Sequence, residues 1–140
     1  MDHSEAQAFA EQWVADWNAR DVDALLKHFT DDVVFTSPVA VRLLGGDGVI
    51  RGKEALRQYW SEGVRLMPDL RFELLAVYVG ISTLVINYRN QDGGLVCEVL
   101  TFDGDLVREG SRHLPRAGST RPATGRRGCL LTHIPVGGSR

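Results

Sequence analysis

Glu98 is the side chain whose setting points most directly to chemistry, because Val96, Val99, Leu100 and Phe102 surround it in an apolar run. A carboxylate there is costly to bury unless it is partnered or protonated. Without a cation it would be a pocket acid, its pKa raised by desolvation, able to donate a hydrogen bond or move a proton near neutral pH. With a partner it is a structural pair, and the candidates are Asn87 across the strand and Arg89 on the diagonal. Asn87 could instead orient a ligand carbonyl, and Arg89 could clamp an acidic ligand at a rim or simply extend into solvent. Trp13, Trp17, Tyr59 and Trp60 would line a cavity wall, or form plain core, since aromatics at helical spacing do both. Ser37 has no neighbouring His or acid to activate it, so it is a turn or pocket hydroxyl rather than a nucleophile.

Other chemistries find no residues. His3, His28, His113 and His133 have no metal-ligand spacing, and Gly45-Gly46-Asp47-Gly48 lacks the Lys of a phosphate-binding loop. Neither a metal nor a cofactor is expected. Two cysteines, Cys97 in an apolar segment and Cys129 in the tail, are too few for a disulfide framework or a Cys-based zinc site. The acidic start Met1-Asp2-His3-Ser4-Glu5 lacks the positive charge and apolar stretch expected of a signal peptide, and no apolar run approaches the roughly 20 residues of a membrane span. A cytoplasmic protein without membrane contact is expected.

The 140 residues suit a single domain, yet charge divides them unevenly. All 18 acids precede Gly110, whereas Arg112, Arg116, Arg121, Arg126, Arg127 and Arg140 follow it, so the body carries −8 and the tail +6. A basic arm can bind nucleic acid, but this one has no aromatic residue to stack on a base. The division expected is a domain over 1–110 and a basic Gly/Pro/Arg-rich tail over 111–140, disordered or aberrant, with no nucleic-acid partner.

The body must position Glu98, and its periodicities say how. Ser4-Glu5-Ala6-Gln7 has capping-box form, and Ala6, Phe9, Ala10, Trp13, Val14 and Trp17 give a helix one apolar face. Asp21 caps a short second helix with Val22, Leu25, Leu26 and Phe29 inward. Val33 to Ser37 reads as a strand stopped by Pro38, residues 38–50 as a loop, and 53–64 as a third helix. Runs 70–79, 82–90, 94–102 and 105–110 read as an antiparallel meander. If Asp92-Gly93 is a two-residue turn, Asn87 pairs with Glu98 and Tyr88 with Cys97. Val85, Asn87, Arg89, Val96 and Glu98 then share one face, and Leu84, Ile86, Leu95, Cys97 and Val99 the other. Two apolar faces imply cover on both sides, by helices on one and a second subunit on the other, hence a homodimer through Leu84, Ile86, Leu95 and Val99.

This order of elements, with Trp17-Asn18-Ala19-Arg20-Asp21-Val22-Asp23, Phe29-Thr30-Asp31-Asp32-Val33-Val34-Phe35-Thr36-Ser37-Pro38 and Ile50-Arg51-Gly52-Lys53-Glu54-Ala55-Leu56, resembles the nuclear transport factor 2-like superfamily over residues 5 to about 110. Within it the chain is similar to the SnoaL-like and ketosteroid-isomerase-like branch. That resemblance implies an α+β fold of the cystatin-like type, a cone-shaped curved antiparallel β-sheet wrapped around N-terminal helices to enclose an apolar pocket. Carried over by position, the steroid isomerases' catalytic Asp before the strand-ending Pro falls on Ser37, their pocket Tyr on Trp13, and their second oxyanion donor on Glu98, four residues before Phe102-Asp103-Gly104. The usual base is missing, so steroid isomerisation is not implied. Fold alone does not choose a reaction. The expectation is a domain binding a small hydrophobic, carbonyl-bearing molecule, with cofactor-free proton transfer by Glu98 as its enzymatic version and a non-catalytic dimeric binding or scaffold domain as the alternative.

Overall fold

The computed structural model describes residues 1–116. Helix α1 (His3–Asn18) begins on a capping box formed by Asp2 and Glu5, two residues ahead of the expected Ser4 and Gln7. The Asp2 carboxylate accepts from the Glu5 backbone N–H at 2.8 Å, and Glu5 Oε1 accepts from the Asp2 N–H at 2.9 Å. Both acids also suit the positive end of the helix dipole, which a neutral Ser and Gln would not. Ala6, Ala10, Trp13, Val14 and Trp17 bury the inward face.

The corner after α1 is tied down by two side chains. Asn18 pairs with the backbone of Phe72 in both directions, donating at 3.0 Å and accepting at 2.7 Å, much as a strand residue would. Arg20 adopts a left-handed conformation at φ 61°, and its guanidinium donates to the carbonyls of Val64, at 3.1 Å, and Pro68. It thereby satisfies carbonyls at the end of α4 (Lys53–Leu66), which helps to offset the backbone strain of about 1–2 kcal/mol. Asp21 then caps α2 (Val22–Leu26).

Strand β1 (Phe29–Thr36) is longer than the sequence suggests, and residues 38–50 are not simply a loop. Ser37 caps a short helix α3 (Pro38–Leu44) with Pro38 in its first turn, and β2 (Val49–Arg51) follows. The remaining strands are β3 (Glu73–Val79), β4 (Thr83–Arg89), β5 (Leu95–Asp103) and β6 (Leu106–His113). They form one curved, unclosed sheet of order β2-β1-β6-β5-β4-β3. All neighbours are antiparallel except β1 and β6, which run parallel. The α+β class and the sheet wrapped around helices stand as expected.

Two expectations fail on register and boundary. The β4–β5 loop has three residues, Gln91, Asp92 and Gly93, with Gly93 at φ 81° and the Asn90 side chain accepting from the Asp92 and Gly94 N–H groups. Pairing therefore slips by one, setting Ile86 opposite Glu98 and Asn87 opposite Cys97. A one-residue slip exchanges the faces of one strand relative to the other. Leu84 and Ile86 point inward with Val96, Glu98 and Leu100 and are fully buried, so they cannot form an outer dimer face. Second, strand structure does not stop at 110: β6 carries Ser111, Arg112 and His113, and Leu114 packs on the core. The boundary at 110/111 is thus corrected, and the expected disorder of the tail beyond residue 116 lies outside the described residues.

A bulge in β6 next to the Thr101/Phe102 step brings Gly110 opposite Leu100 and Arg112 opposite Glu98 on the concave face. Gly110 is required there, because a Cβ would stand 2.8 Å from the Phe35 ring.

Candidate functional site

The concave side of the sheet and the inner faces of α1 and α4 enclose an aromatic cluster. Trp13, Trp17, Tyr59 and Trp60 are all buried and, with Phe29, Phe35, Phe72 and Tyr88, fill the cone. Trp17 and Trp60 meet edge to face at 5.2 Å, and Trp13 lies 5.4 Å from Tyr88. The expected aromatics are thus brought together, but as a filled core rather than the walls of an open pocket. A cavity that touches them measures about 20 Å³, room for about one water, and lies between Trp17, Tyr59, Trp60, Arg112 and the α3 residues Val39 and Leu43.

Glu98 is fully buried in this interior. Its partner is neither Asn87 nor Arg89 but Arg112, whose Nε donates to Oε2 at 2.5 Å. The Tyr88 hydroxyl donates to the same oxygen at 3.3 Å. Burial pushes the Glu98 carboxyl above its ordinary range, with Arg112 and the Tyr88 hydroxyl pulling the other way. Burial works against the Arg112 charge, but attraction to the groups around it, Glu98 foremost, outweighs this and raises its pKa. Burial likewise lifts the Tyr88 phenol well above its usual value. The guanidinium carbon stands 5.6 Å from the Trp17 ring centre and 5.8 Å from that of Phe35, within cation–π range of both.

Several polar atoms in this interior have no hydrogen-bond partner among the described residues: the indole N–H groups of Trp13, Trp17 and Trp60, Glu98 Oε1 and Arg112 Nη2. Buried polar groups are nearly always paired, and each orphan costs about 1–3 kcal/mol. Four donors and one acceptor left over in one cluster are the chemical signature of this interior.

Ser37 is buried, caps α3 by accepting from the Val39 N–H at 3.1 Å, and receives the Tyr59 hydroxyl at 3.1 Å. It therefore stands at the cavity's edge through Tyr59. Asn87 and Arg89 lie on the convex face, away from Glu98. Asn87 donates to the Val96 carbonyl at 3.1 Å, and Arg89 to the Gly93 carbonyl at the same distance. Their placement follows from the register slip, and the pairing expected of them with Glu98 is corrected. Sequence reasoning missed Arg112 and Tyr88. A buried acid demands a cation, and Arg112, two residues past the assumed strand end, would have answered that demand.

Among the described residues no group of three or more His, Cys, Asp or Glu side chains could hold a metal, and no helix is long and apolar enough to cross a membrane.

The pattern of the SnoaL-like domain matches residues 10–128. Among solved structures, a SnoaL-like protein of unknown function from Burkholderia thailandensis is 38% identical, with a TM-score of 0.78 over 82% of this chain and 98% of that one. A nuclear transport factor 2-like protein from Anabaena variabilis is 15% identical, with a TM-score of 0.68 over 86% of this chain and 98% of that one. TerC co-crystallised with polyporic acid is 13% identical, with a TM-score of 0.65 over 79% and 92%. At such low identity the last two speak for the fold alone. No curated protein matches the sequence.

Proposed function

The chain belongs to the SnoaL-like domain family, and from that premise we propose that it is a cytoplasmic, homodimeric domain binding a small hydrophobic, carbonyl-bearing molecule inside its cone. The observation that carries this reading is the set of unpartnered polar atoms buried in the cone, Trp13 Nε1, Trp17 Nε1, Trp60 Nε1, Glu98 Oε1 and Arg112 Nη2, of which those of Trp17, Trp60 and Arg112 belong to residues lining a small cavity. A pure scaffold gains nothing from them, since apolar residues of similar shape would be as stable or more so. A ligand oxygen accepting from the indoles and Arg112 turns their cost into affinity. A fold neighbour, TerC, was co-crystallised with polyporic acid, which supports a ligand-binding reading of this fold. In this reading Glu98 is a positioning residue that orients Arg112, and Trp17, Tyr59 and Trp60 exclude water. Ser37 holds the Tyr59 hydroxyl, while Asn87 and Arg89, on the convex face, serve the sheet and not the ligand.

All three tryptophans of the chain lie in the cone, so their emission reports directly on its occupancy. Titration with 2-decalone, an apolar ketone silent at tryptophan wavelengths, is expected to shift that emission saturably. No change up to the solubility limit would leave the scaffold reading.

One observation favours a catalytic version: Glu98 Oε1 has no donor, and burial raises the carboxyl toward the range of a general base. Deuterium uptake beside the carbonyl of bound 2-decalone, followed by NMR and lost in Glu98→Gln, is the outcome that version requires.

A further inference from the structure

We propose that the polar group taken by the cone is an oxyanion, the carboxylate of an apolar, ring-sized acid, held by Arg112 Nη2 and the indole N–H groups of Trp17 and Trp60. This rests on the reading of the cone as a binding site and specifies what it binds. The cavity wall includes all three of these residues, each nine-tenths or more buried and each with an unpartnered N–H. Among the described residues no side-chain acceptor of that wall is left unpartnered. The Tyr59 hydroxyl is bonded to Ser37, and Glu98 stands behind Arg112 rather than in the wall. A wall whose unpartnered side-chain groups are all donors matches an acceptor-only group, whereas an ammonium would set further donors against those donors.

The number of donors decides between a neutral carbonyl and a carboxylate. One carbonyl oxygen has two lone pairs, so one of the three N–H groups would stay unsatisfied, whereas the two oxygens of a carboxylate offer about four acceptor sites. Bonds from a guanidinium to an anion are also the stronger kind. Glu98 prepares this arrangement by occupying the Nε edge, while Trp17 and Phe35 lie within cation–π range of the guanidinium. The Glu98 charge is itself engaged by Arg112 and the Tyr88 hydroxyl.

Space is made by α3. Val39 and Leu43 of that helix form part of the wall, Ala40 is its one buried residue, and Val41, Leu43 and Leu44 are exposed. Gly45 and Gly46 follow at φ 75° and 77°, conformations that glycine adopts freely and other residues rarely do. The helix can therefore swing outward at little packing cost and admit a ring that a 20 Å³ cavity does not hold.

The test compares three probes of one shape on the full chain by tryptophan emission: decalin-2-carboxylate, 2-decalone and decalin-2-methylammonium. The carboxylate is expected to bind at least tenfold more tightly than the ketone, and the ammonium not at all. The double variant Glu98→Leu/Arg112→Met, which removes both charges and leaves neither alone, is expected to lose the preference, the carboxylate then binding no more tightly than the ketone. Ketone binding equal to or tighter than carboxylate binding overturns the inference and leaves the pocket reading intact. A preference that survives in the double variant overturns it too, since Arg112 is then not the anchor. Binding of none of the three removes the pocket reading and this inference together.

Discussion

Arg112 and Glu98 are directly opposed residues of β6 and β5, and they form a buried ion pair on the concave face of the sheet, Nε to Oε2 at 2.5 Å. The pair lies beneath the aromatic cluster and, among the described residues, is the one ion pair with both charges buried. Its energetics are those of a mutual dependence: each charge is tolerable only because the other is present.

Removing one partner should therefore cost far more than removing both. Glu98→Gln leaves a buried guanidinium without its counter-ion and is expected to lose about 3–5 kcal/mol, whereas Glu98→Leu/Arg112→Met should lie within about 1–2 kcal/mol of the parent or above it. Urea melts at pH 7 decide it. Burial of the carboxylate taken alone would make Glu98→Gln stabilising, but that substitution also leaves the Arg112 charge buried and unpaired, and this cost outweighs the gain. Equal stability of the single variant and the parent would remove the pair from the account.

His28 gives the pH dependence. Its pKa is lowered by partial burial first, opposed by Asp16 4.0 Å away and assisted by Lys27. A lowered folded value means the unfolded chain binds the proton more readily. Stability is then fully present above the unfolded pKa of about 6.5 and is lost as pH falls through the lower folded value. His113, also lowered by burial, adds in the same direction. Thermal melts between pH 7.5 and 5.5 should show this fall, and His28→Gln should shallow it. An unchanged slope in that variant would assign the effect elsewhere.

A chain ending at Gly110 should be less stable than one ending at Arg116 by about 3–5 kcal/mol, because it retains Glu98 and loses Arg112. Guanidinium melts of the two compare them directly. Similar midpoints would mean that β6 needs neither its end nor its cation.

The homodimer proposal moves to the convex residues that remain half-exposed. Val34, Thr36, Val99 and Thr101 line a shallow groove of about 250 Å³ across β1, β6 and β5, in place of Leu84 and Ile86. Sedimentation of the full chain should report twice 15.5 kDa. Val99→Arg, a charge at the centre of that groove, should shift the protein toward monomer at tens of micromolar without unfolding it. A monomeric parent at that concentration contradicts the dimer.

How much of this was legible in the sequence depended on the kind of signal. The Ala6 to Trp17 spacing is a repeated pattern with many members, so the helix could be placed although its cap was two residues off. Glu98 stood out because an acid in an apolar strand has few physical explanations. Its surroundings were hidden by single-residue events. Loop length at Asp92-Gly93 is ambiguous between two and three residues, and that one residue moved Asn87 and Arg89 to the other face. The three glycines after Leu44 obscured the Ser37-Pro38 start of α3. Gly110 looked like a breaker but is a fitted strand residue beneath Phe35, and cutting there hid Arg112. Register, bulge and closure are tertiary decisions that no local pattern carries.

Strand β6, the last of the described strands in sequence, lies in the middle of the sheet between β1 and β5. During synthesis the β1–β2 pair and the β3–β5 meander emerge first, as two pieces with no backbone hydrogen bonds to each other. Each presents a bare edge, β1 and β5, of the kind that invites pairing with foreign strands. The core carboxylate waits in the same interval without its cation. Only when residues 106–113 leave the ribosome can the two pieces be zipped and the charge neutralised, both by one eight-residue segment. Folding of this chain is therefore a late and nearly all-or-none event, and nascent chains stalled before residue 112 are the ones most exposed to aggregation and to chaperones.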